Sequence, residues 1–118
     1  MIRKLLLVDD DPEIHFFLRS VLQTPWISIR SVHTGKQAFS EFREMEYDLI
    51  ITDISMPELS GIDLIKEIDK SRYRTPPIVI LSSVNDARMI MECLSNGVSD
   101  YIIKPAEPER IRKTVYDL

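Results

Sequence analysis

The sequence predicts an α/β protein whose parallel β-sheet is covered by helices on both faces. Short runs of apolar and β-branched residues alternate with segments of helical periodicity along the whole chain, which is typical of consecutive βα units. The runs at 49–52 and 78–81 contain almost only apolar residues, which indicates strands buried on both faces. Because parallel strands joined through helices need right-handed crossovers, a doubly wound sheet is expected.

Composition narrows the class of protein. The chain has 118 residues, of which 44% are hydrophobic and 29% charged, so one globular domain over residues 1–118 is expected. Its net charge of -4 disfavours nucleic acid as a direct partner, because a phosphate backbone requires a basic surface. No apolar run reaches the roughly 20 residues of a membrane span, and no signal-peptide pattern is found. The single cysteine, Cys93, is predicted to pack on a helix and fits a reducing, cytoplasmic location.

The first two βα units are predicted from strand patterns and helix caps. Residues 3–8 form the first strand, and Asp11 caps a helix whose first position is proline. The apolar face of that helix consists of Ile14, Phe17, Leu18, Val21 and Leu22. Residues 27–32 alternate in polarity, which predicts an edge strand. Thr34 and Gln37 form a capping box for the second helix, whose apolar face consists of Ala38, Phe39 and Phe42.

The third unit is built around a strand with a run of apolar and β-branched residues at 49–52. Residues 48–53 form this strand, and a turn containing proline and glycine follows it. Ser60 and Asp63 form a second capping box. The helix that they begin has an apolar face of Ile62, Leu64, Ile65 and Ile68. The basic run at 72–74 is interpreted as a solvated helix end.

The last two units complete the alternation. Residues 78–81 form the fourth strand, and Asn85 or Asp86 caps the next helix. The Asn-Gly pair at 96–97 ends that helix, and residues 100–103 form the fifth strand. The final helix begins with a proline, and its predicted apolar face consists of Ile111, Val115 and Leu118.

Carboxylates follow the first and third predicted strands. In the flavodoxin-like strand order 2-1-3-4-5, these two strands are neighbours at the point where the topology reverses, so Asp9, Asp10 and Asp53 meet at one edge of the sheet. Like charges this close require neutralisation. An oxygen-liganding divalent cation supplies it, and Mg2+ is bound in this way. His15 and His33 lack a ligand spacing and are interpreted as ordinary side chains, which favours Mg2+ or Mn2+ over Zn2+.

Two other strand ends carry groups that suit phosphoryl chemistry. Lys104 follows the fifth strand and can pair with a carboxylate or with a phosphoryl oxygen. Ser82 adds a hydroxyl at the end of the fourth strand. Carboxylate, metal, lysine and hydroxyl together predict a phosphoryl-transfer site. Asp53 is the predicted nucleophile, which forms an aspartyl phosphate.

Four motifs, each at a predicted strand end, resemble the receiver domain of two-component response regulators. They are the Leu-Val-Asp-Asp-Asp run at 7–11, the Asp-Ile-Ser-Met-Pro run at 53–57 with Gly61, the Ile-Leu-Ser-Ser run at 80–83 and the Tyr-Ile-Ile-Lys-Pro run at 101–105. The resemblance covers nearly the whole chain. It implies the flavodoxin-like (βα)5 fold and a role in phosphorelay signalling.

The resemblance also implies roles for the acidic residues. Asp53 matches the phosphoacceptor. Asp10 matches a direct Mg2+ ligand, with Asp9 bound through water and the backbone carbonyl of Ser55 as a further ligand. Such a domain catalyses its own phosphorylation and dephosphorylation only and is not otherwise an enzyme.

The remaining matches concern the conformational switch. Ser82 matches the hydroxyl that moves toward the phosphoryl group. Tyr101 matches the aromatic residue that turns inward when this hydroxyl moves. Lys104 matches the lysine of the family, whose bond to the following Pro105 is usually cis.

The resemblance implies two kinds of partner. The phosphodonor is a phosphohistidine on a sensor kinase or on a histidine phosphotransfer protein. The helix after Ser82, the strand carrying Tyr101 and the last helix form the face for an output domain or effector. Residues 1–118 are either a single-domain regulator or the N-terminal part of a longer one, and the short final helix favours the latter. Ser99 and Thr114 replace the acid and base that winged-helix members often use for dimerisation.

Three rival interpretations remain open at this level. A pseudo-receiver keeps the fold as an interaction module and takes no phosphate. A haloacid-dehalogenase-like phosphatase uses an Asp-x-Asp pair, here Asp9 and Asp11, but Glu13 stands where a hydroxyl residue is usual. Flavin binding on this fold needs a phosphate loop after the first strand, and the glycines at Gly35, Gly61 and Gly97 do not supply one.

Overall fold

The computed structural model describes residues 2–22, 24–71 and 74–118. Five strands alternate with five helices. In chain order they are β1 (Lys4–Val8), α1 (Pro12–Val21), β2 (Ser28–Val32), α2 (Gly35–Glu44), β3 (Leu49–Thr52), α3 (Gly61–Lys70), β4 (Ile78–Ser82), α4 (Ala87–Ser95), β5 (Asp100–Ile103) and α5 (Pro108–Tyr116). Every strand pair is parallel, and the order across the sheet is β2-β1-β3-β4-β5, as the sequence predicts.

Two hydrophobic cores lie on opposite faces of the sheet, because successive side chains of a strand alternate between its faces. One face packs against α2, α3 and α4 and includes Leu6, Ile50 and Ile80. The other packs against α1 and α5 and includes Leu5, Leu49 and Val79. The three central strands are therefore buried on both sides, whereas β2 is an edge strand with alternating exposure. Cys93 is fully buried on α4.

The register places the ends of β1 and β3 side by side. Val8 pairs with Thr52, so Asp9 and Asp53 leave adjacent strands at the same level. The amide of Asp53 donates to the carbonyl of Val8 at 3.0 Å, which continues the ladder by one residue beyond β3. The predicted reversal point between the first and third strands is thus where these two acids lie.

Local capping explains where the helices begin. The side chains of Asp11, Thr34, Ser60 and Asp86 each accept a hydrogen bond from a first-turn amide, so Asp86 rather than Asn85 caps α4. The box at Thr34 differs in detail from the prediction, because the Gln37 side chain accepts from the amide of His33 rather than from that of the cap residue. Gly97 has a φ of 89°, a conformation that suits glycine at a helix end.

One core prediction is wrong. Leu118 is 40% exposed, because α5 ends at Tyr116 and the helical spacing does not reach the last residue. Thr114 is instead buried on that face beside Ile111 and Val115. Of the basic run predicted to end the third helix, residues 72–73 lie outside the described residues.

Candidate functional site

Three carboxylates meet at the carboxyl edge of the sheet. One oxygen from each of Asp9, Asp10 and Asp53 lies within 4.8 Å of the other two. Asp9 and Asp53 are buried, whereas Asp10 is exposed. The site is therefore open to solvent on the Asp10 side and enclosed by protein on the other.

Asp53 is held by its own loop and by the start of α3. Its Oδ1 accepts hydrogen bonds from the amides of Ile54 at 2.6 Å and Ser55 at 3.3 Å. The Thr52 hydroxyl donates to the Asp53 carbonyl at 2.8 Å. On the far side, the amide of Gly61 donates to the Ile54 carbonyl at 2.8 Å. Hydrogen bonds from main-chain amides therefore fix the orientation of the Asp53 carboxylate.

Lys104 joins two of the acids. Its Nζ donates to Asp9 Oδ2 at 2.9 Å and to Asp53 Oδ2 at 3.0 Å. Burial lowers the pKa of this ammonium, but the hydrogen bonds to Asp9 and Asp53 outweigh that effect, and the net pKa is raised. The amide of Lys104 donates to the Ser82 carbonyl at 2.9 Å, and the bond between Lys104 and Pro105 is cis, as the resemblance implies.

Asp9 is the most enclosed acid of the cluster, at 1% exposure. Burial raises the pKa of its carboxyl, and the charge of Asp53 adds to this effect, whereas the hydrogen bonds from Lys104 and from the Asp11 amide oppose it. The Asp11 amide donates to Asp9 Oδ1 at 2.9 Å. The net rise in pKa means that the surroundings do not fully compensate the buried negative charge.

The cluster fits a hard divalent cation. All candidate ligands are carboxylate oxygens, which Mg2+ prefers, and Lys104 supplies one positive charge against three acids. Among the described residues, this is the one group of three or more acidic, histidine or cysteine side chains close enough to share an ion. Ser55, whose carbonyl is the predicted further ligand, follows directly in the loop that holds Asp53, and its ligand role stays a prediction.

A second set of contacts connects β4 with β5 through one loop residue. The amide of Val84 donates to Ser82 Oγ at 3.2 Å, and the hydroxyl of Tyr101 donates to the Val84 carbonyl at 2.5 Å. Ser82 is fully buried and Tyr101 is half-buried. Burial also raises the pKa of the Tyr101 phenol, so the hydroxyl is a donor at neutral pH. Val84 therefore links the predicted switch hydroxyl to the predicted switch aromatic.

Sequence reasoning missed two features, one at the site and one at the start of β5. His15 is buried, and its Nε2 lies 2.7 Å from the Asp9 carbonyl oxygen. Asp100 accepts hydrogen bonds from both terminal nitrogens of Arg110 at 2.9 and 3.1 Å and from Thr114 at 3.3 Å. The apolar neighbours of His15 along α1 conceal its contact, and Arg110 lies ten residues from Asp100 in the chain.

Comparison with known proteins identifies the family. A sequence model described as response regulator receiver domain matches residues 5–116. The chain belongs to this family. The receiver domain is 31% identical to the chemotaxis protein CheY of Thermotoga maritima over 110 residues, which cover 92% of this chain and 91% of that protein. It is 33% identical to the two-component response regulator ORR5 of Oryza sativa subsp. japonica, with 92% and 82% coverage.

Solved receiver domains have the same fold. The receiver domain of the Francisella response regulator 1452 is 31% identical, with a TM-score of 0.88 and coverage of 98% of this chain and 94% of that chain. No helix within the described residues of our receiver domain is both long and apolar enough to cross a membrane.

Proposed function

We propose that this receiver domain accepts a phosphoryl group on Asp53 from a phosphohistidine, with Mg2+ bound by Asp9, Asp10, Asp53 and the Ser55 carbonyl. The observation that carries the proposal is the Lys104 ammonium, which lies 2.9 Å from one buried acid and 3.0 Å from the other. An ammonium group that lies between two carboxylates at the end of a sheet can also bind a third anionic group, here the phosphoryl group. Bound Mg2+ would neutralise phosphoryl oxygens and draw charge from the phosphorus during transfer.

The chemistry assigned to the protein residues is simple. An Asp53 oxygen attacks phosphorus while the phosphorus–nitrogen bond of the donor breaks. The leaving imidazole nitrogen keeps the electron pair and takes a proton from solvent. The amides of Ile54 and Ser55 orient the carboxylate for this attack, which lowers the entropic part of the barrier. Lys104 then transfers one of its hydrogen bonds from a carboxylate to the new phosphoryl oxygen.

The same contacts support a switch. The added phosphoryl charge attracts the Ser82 hydroxyl. Since the Val84 amide is bonded to Ser82 and its carbonyl to Tyr101, a displacement of Ser82 moves the loop that positions the tyrosine. Tyr101 packs against the core under α4. We therefore assign the α4-β5-α5 face as the surface that reads the phosphorylation state, with an output domain or effector as its partner.

The phosphodonor is a sensor histidine kinase or a histidine phosphotransfer protein, and we place the reaction in the cytoplasm. Direct binding to nucleic acid is not part of the proposal, because the net charge is -4. The phosphatase alternative needs Asp9 as nucleophile. Asp9 is 1% exposed, whereas Asp53 is 7% exposed, so Asp53 is the more accessible nucleophile.

Intact mass spectrometry tests the proposal. The protein is incubated with acetyl phosphate with and without Mg2+, beside Asp53→Asn and, as a matched acidic control on an exposed helix surface, Asp69→Asn. We expect one added phosphoryl group on the wild type and on the control. The adduct depends on Mg2+ and is absent from Asp53→Asn.

Two results would contradict the assignment. A phosphorylated Asp53→Asn protein would show that another acid accepts the group. A wild-type protein that binds Mg2+ but forms no adduct, and whose amide spectrum does not change with beryllofluoride, would favour the pseudo-receiver interpretation.

A further inference from the structure

His15 is a polar side chain on an otherwise apolar helix face. It is 6% exposed and lies on the buried side of α1 with Leu18 and Val21. An apolar residue would fill this position without the cost of burying two ring nitrogens. Its presence therefore points to a contact that an apolar side chain cannot make.

That contact is with the main chain of the acidic cluster. The Nε2 atom of His15 lies 2.7 Å from the carbonyl oxygen of Asp9. A carbonyl only accepts hydrogen bonds, so Nε2 carries the proton and donates it. The other ring nitrogen, Nδ1, is buried without a hydrogen-bond partner among the described residues. One ring nitrogen therefore makes a hydrogen bond, and the other is buried and unpaired. Because burying an unpaired nitrogen costs free energy, packing alone does not explain a histidine at this position.

The ring of His15 is itself held in place. It packs against the ring of His33, with centroids 4.5 Å apart and planes tilted by 52°. His33 directly follows β2, whose last carbonyl, that of Val32, accepts from the Asp9 amide at 3.2 Å. The main chain of Asp9 is therefore held on both sides. Its amide donates to the last residue of β2, and its carbonyl accepts from His15, whose ring contacts the residue that follows β2.

The Asp9 carbonyl belongs to the peptide unit that leads into Asp10. Rotation of this peptide would move the Asp10 carboxylate, which is exposed and makes no hydrogen bond with the other described residues. We infer that His15 is a positioning residue for the metal site: its Nε2–H fixes the Asp9–Asp10 peptide and so sets where the Asp10 carboxylate can reach. This inference rests on the proposed function, since it assigns the purpose of the contact to Mg2+ binding.

Three variants separate the hydrogen bond from packing. His15→Leu keeps bulk and removes the donor. His15→Gln places an amide nitrogen close to the position of Nε2 and keeps the donor. His33→Ala removes the ring contact and leaves the hydrogen bond. If His15→Leu does not fold, His15→Asn replaces it, because its shorter side chain cannot reach the carbonyl.

Calorimetric titration with Mg2+ is the first measurement. We expect His15→Leu to weaken Mg2+ affinity about tenfold, at the low end for residues that support metal ligands, whereas His15→Gln stays within about twofold of wild type. His33→Ala should lie between these two. Unaltered affinity in folded His15→Leu, or equal weakening by leucine and glutamine, would overturn the inference.

Amide hydrogen exchange in the metal-free protein tests the positioning role of His15 without Mg2+, so its result does not depend on the proposed function. The amides of Asp10 and Asp11 should exchange faster in His15→Leu than in His15→Gln, which should match wild type. If the wild type binds no Mg2+, the proposed function fails, but this exchange pattern still decides whether His15 positions the loop. Equal exchange in both variants would contradict the positioning role.

Discussion

At the scale of single residues, the two buried acids differ in how they are held. Both accept from the Lys104 ammonium, but Asp53 Oδ1 accepts from two consecutive amides of its own loop, whereas Asp9 Oδ1 accepts from one amide. Burial accordingly raises the pKa of Asp9. Lys104 thus has a structural role beside its proposed chemical role, because its ammonium compensates the negative charge of two carboxylates that are buried in the folded protein.

Replacing Lys104 should test both parts. Lys104→Ala leaves two buried carboxylates without their cation, so we expect the free energy of unfolding without Mg2+ to fall by about 2 kcal/mol. Phosphorylation of Asp53 should persist, but the change in the Tyr101 environment should be reduced, because the ammonium no longer follows the phosphoryl group. Urea denaturation and aromatic NMR signals measure these effects.

A matched control uses a surface lysine. Lys66 pairs with Glu92 at 3.4 Å with both side chains more than 40% exposed, so Lys66→Ala should cost less than about 1 kcal/mol. Equal losses from the two lysine variants, or normal switching in Lys104→Ala, would contradict the role given to Lys104.

At the scale of secondary-structure elements, the close approach of α3 to β3 positions Asp53, the proposed phosphoacceptor. A methyl group on residue 61 would lie 2.1 Å from the Asp53 carbonyl oxygen and 2.7 Å from the Cα of Ile54. Both contacts are to backbone, which cannot move aside without shifting Asp53. Glycine at the first position of α3 is therefore required by the nearby backbone of Asp53 and Ile54 and not by the helix itself.

Gly61→Ala should therefore be costly. We expect a loss of about 3 kcal/mol in the free energy of unfolding, since the helix start and the loop after β3 must separate, together with slower phosphorylation by acetyl phosphate. Gly97→Ala is the control: nothing lies near its added methyl group, and only its φ of 89° is strained, so about 1 kcal/mol is expected. A Gly61→Ala protein with normal stability and phosphorylation would show that this contact is not needed.

The contact between β5 and α5 gives an electrostatic prediction. The hydrogen bonds from Arg110 hold the pKa of Asp100 below its ordinary value of 3.8, and the Tyr101 amide and Thr114 add to this effect. A carboxyl whose pKa is lowered by folding stabilises the protein above its unfolded pKa and loses that contribution as the pH falls through its folded pKa. Wild type should thus exceed Asp100→Asn in stability at neutral pH.

Denaturation of both proteins across the acid range measures this effect. The difference should be constant above the unfolded pKa and should shrink only below 3.8. A difference that disappears at a pH above 3.8 would contradict the sign of the shift.

At the scale of the whole molecule, metal binding and folding should be coupled. The acids that would hold Mg2+ follow strands at the centre of the sheet, so the site exists only in the folded chain. A ligand that binds only the folded state raises its stability by about 2.7 kcal/mol when its concentration is about 100 times its dissociation constant. We expect this gain for Mg2+ in the wild type.

Asp10→Ala should lose about half of this gain or more, because its affinity should fall tenfold or more, a change of about 1.4 kcal/mol in binding free energy. Thermal denaturation with increasing Mg2+ gives the comparison. K+ at equal ionic strength controls for screening. Equal Mg2+ dependence in wild type and Asp10→Ala would remove Asp10 from the proposed metal site.

The sequence alone determined the features that depend on neighbours along the chain. The strands and helices, the caps at Asp11 and Ser60, and the polar residues that end four strands are all visible in local patterns, because hydrogen bonding and side-chain periodicity within one element act over a few residues. The strand order was implied by the resemblance to receiver domains, and the structure confirms it.

Tertiary structure decided which groups touch. Lys104 reaches an acid 95 residues away, and no local pattern specifies that it joins Asp9 as well as Asp53. The contact of His15 with Asp9 depends on how α1 lies against β1, and the link from Ser82 to Tyr101 depends on the path of the loop at Val84. The prediction that Leu118 belongs to the apolar face of the last helix is wrong because helical spacing predicts which face is apolar but not where the helix ends. Pairing between distant residues is set by packing of whole elements, which a one-dimensional pattern does not contain.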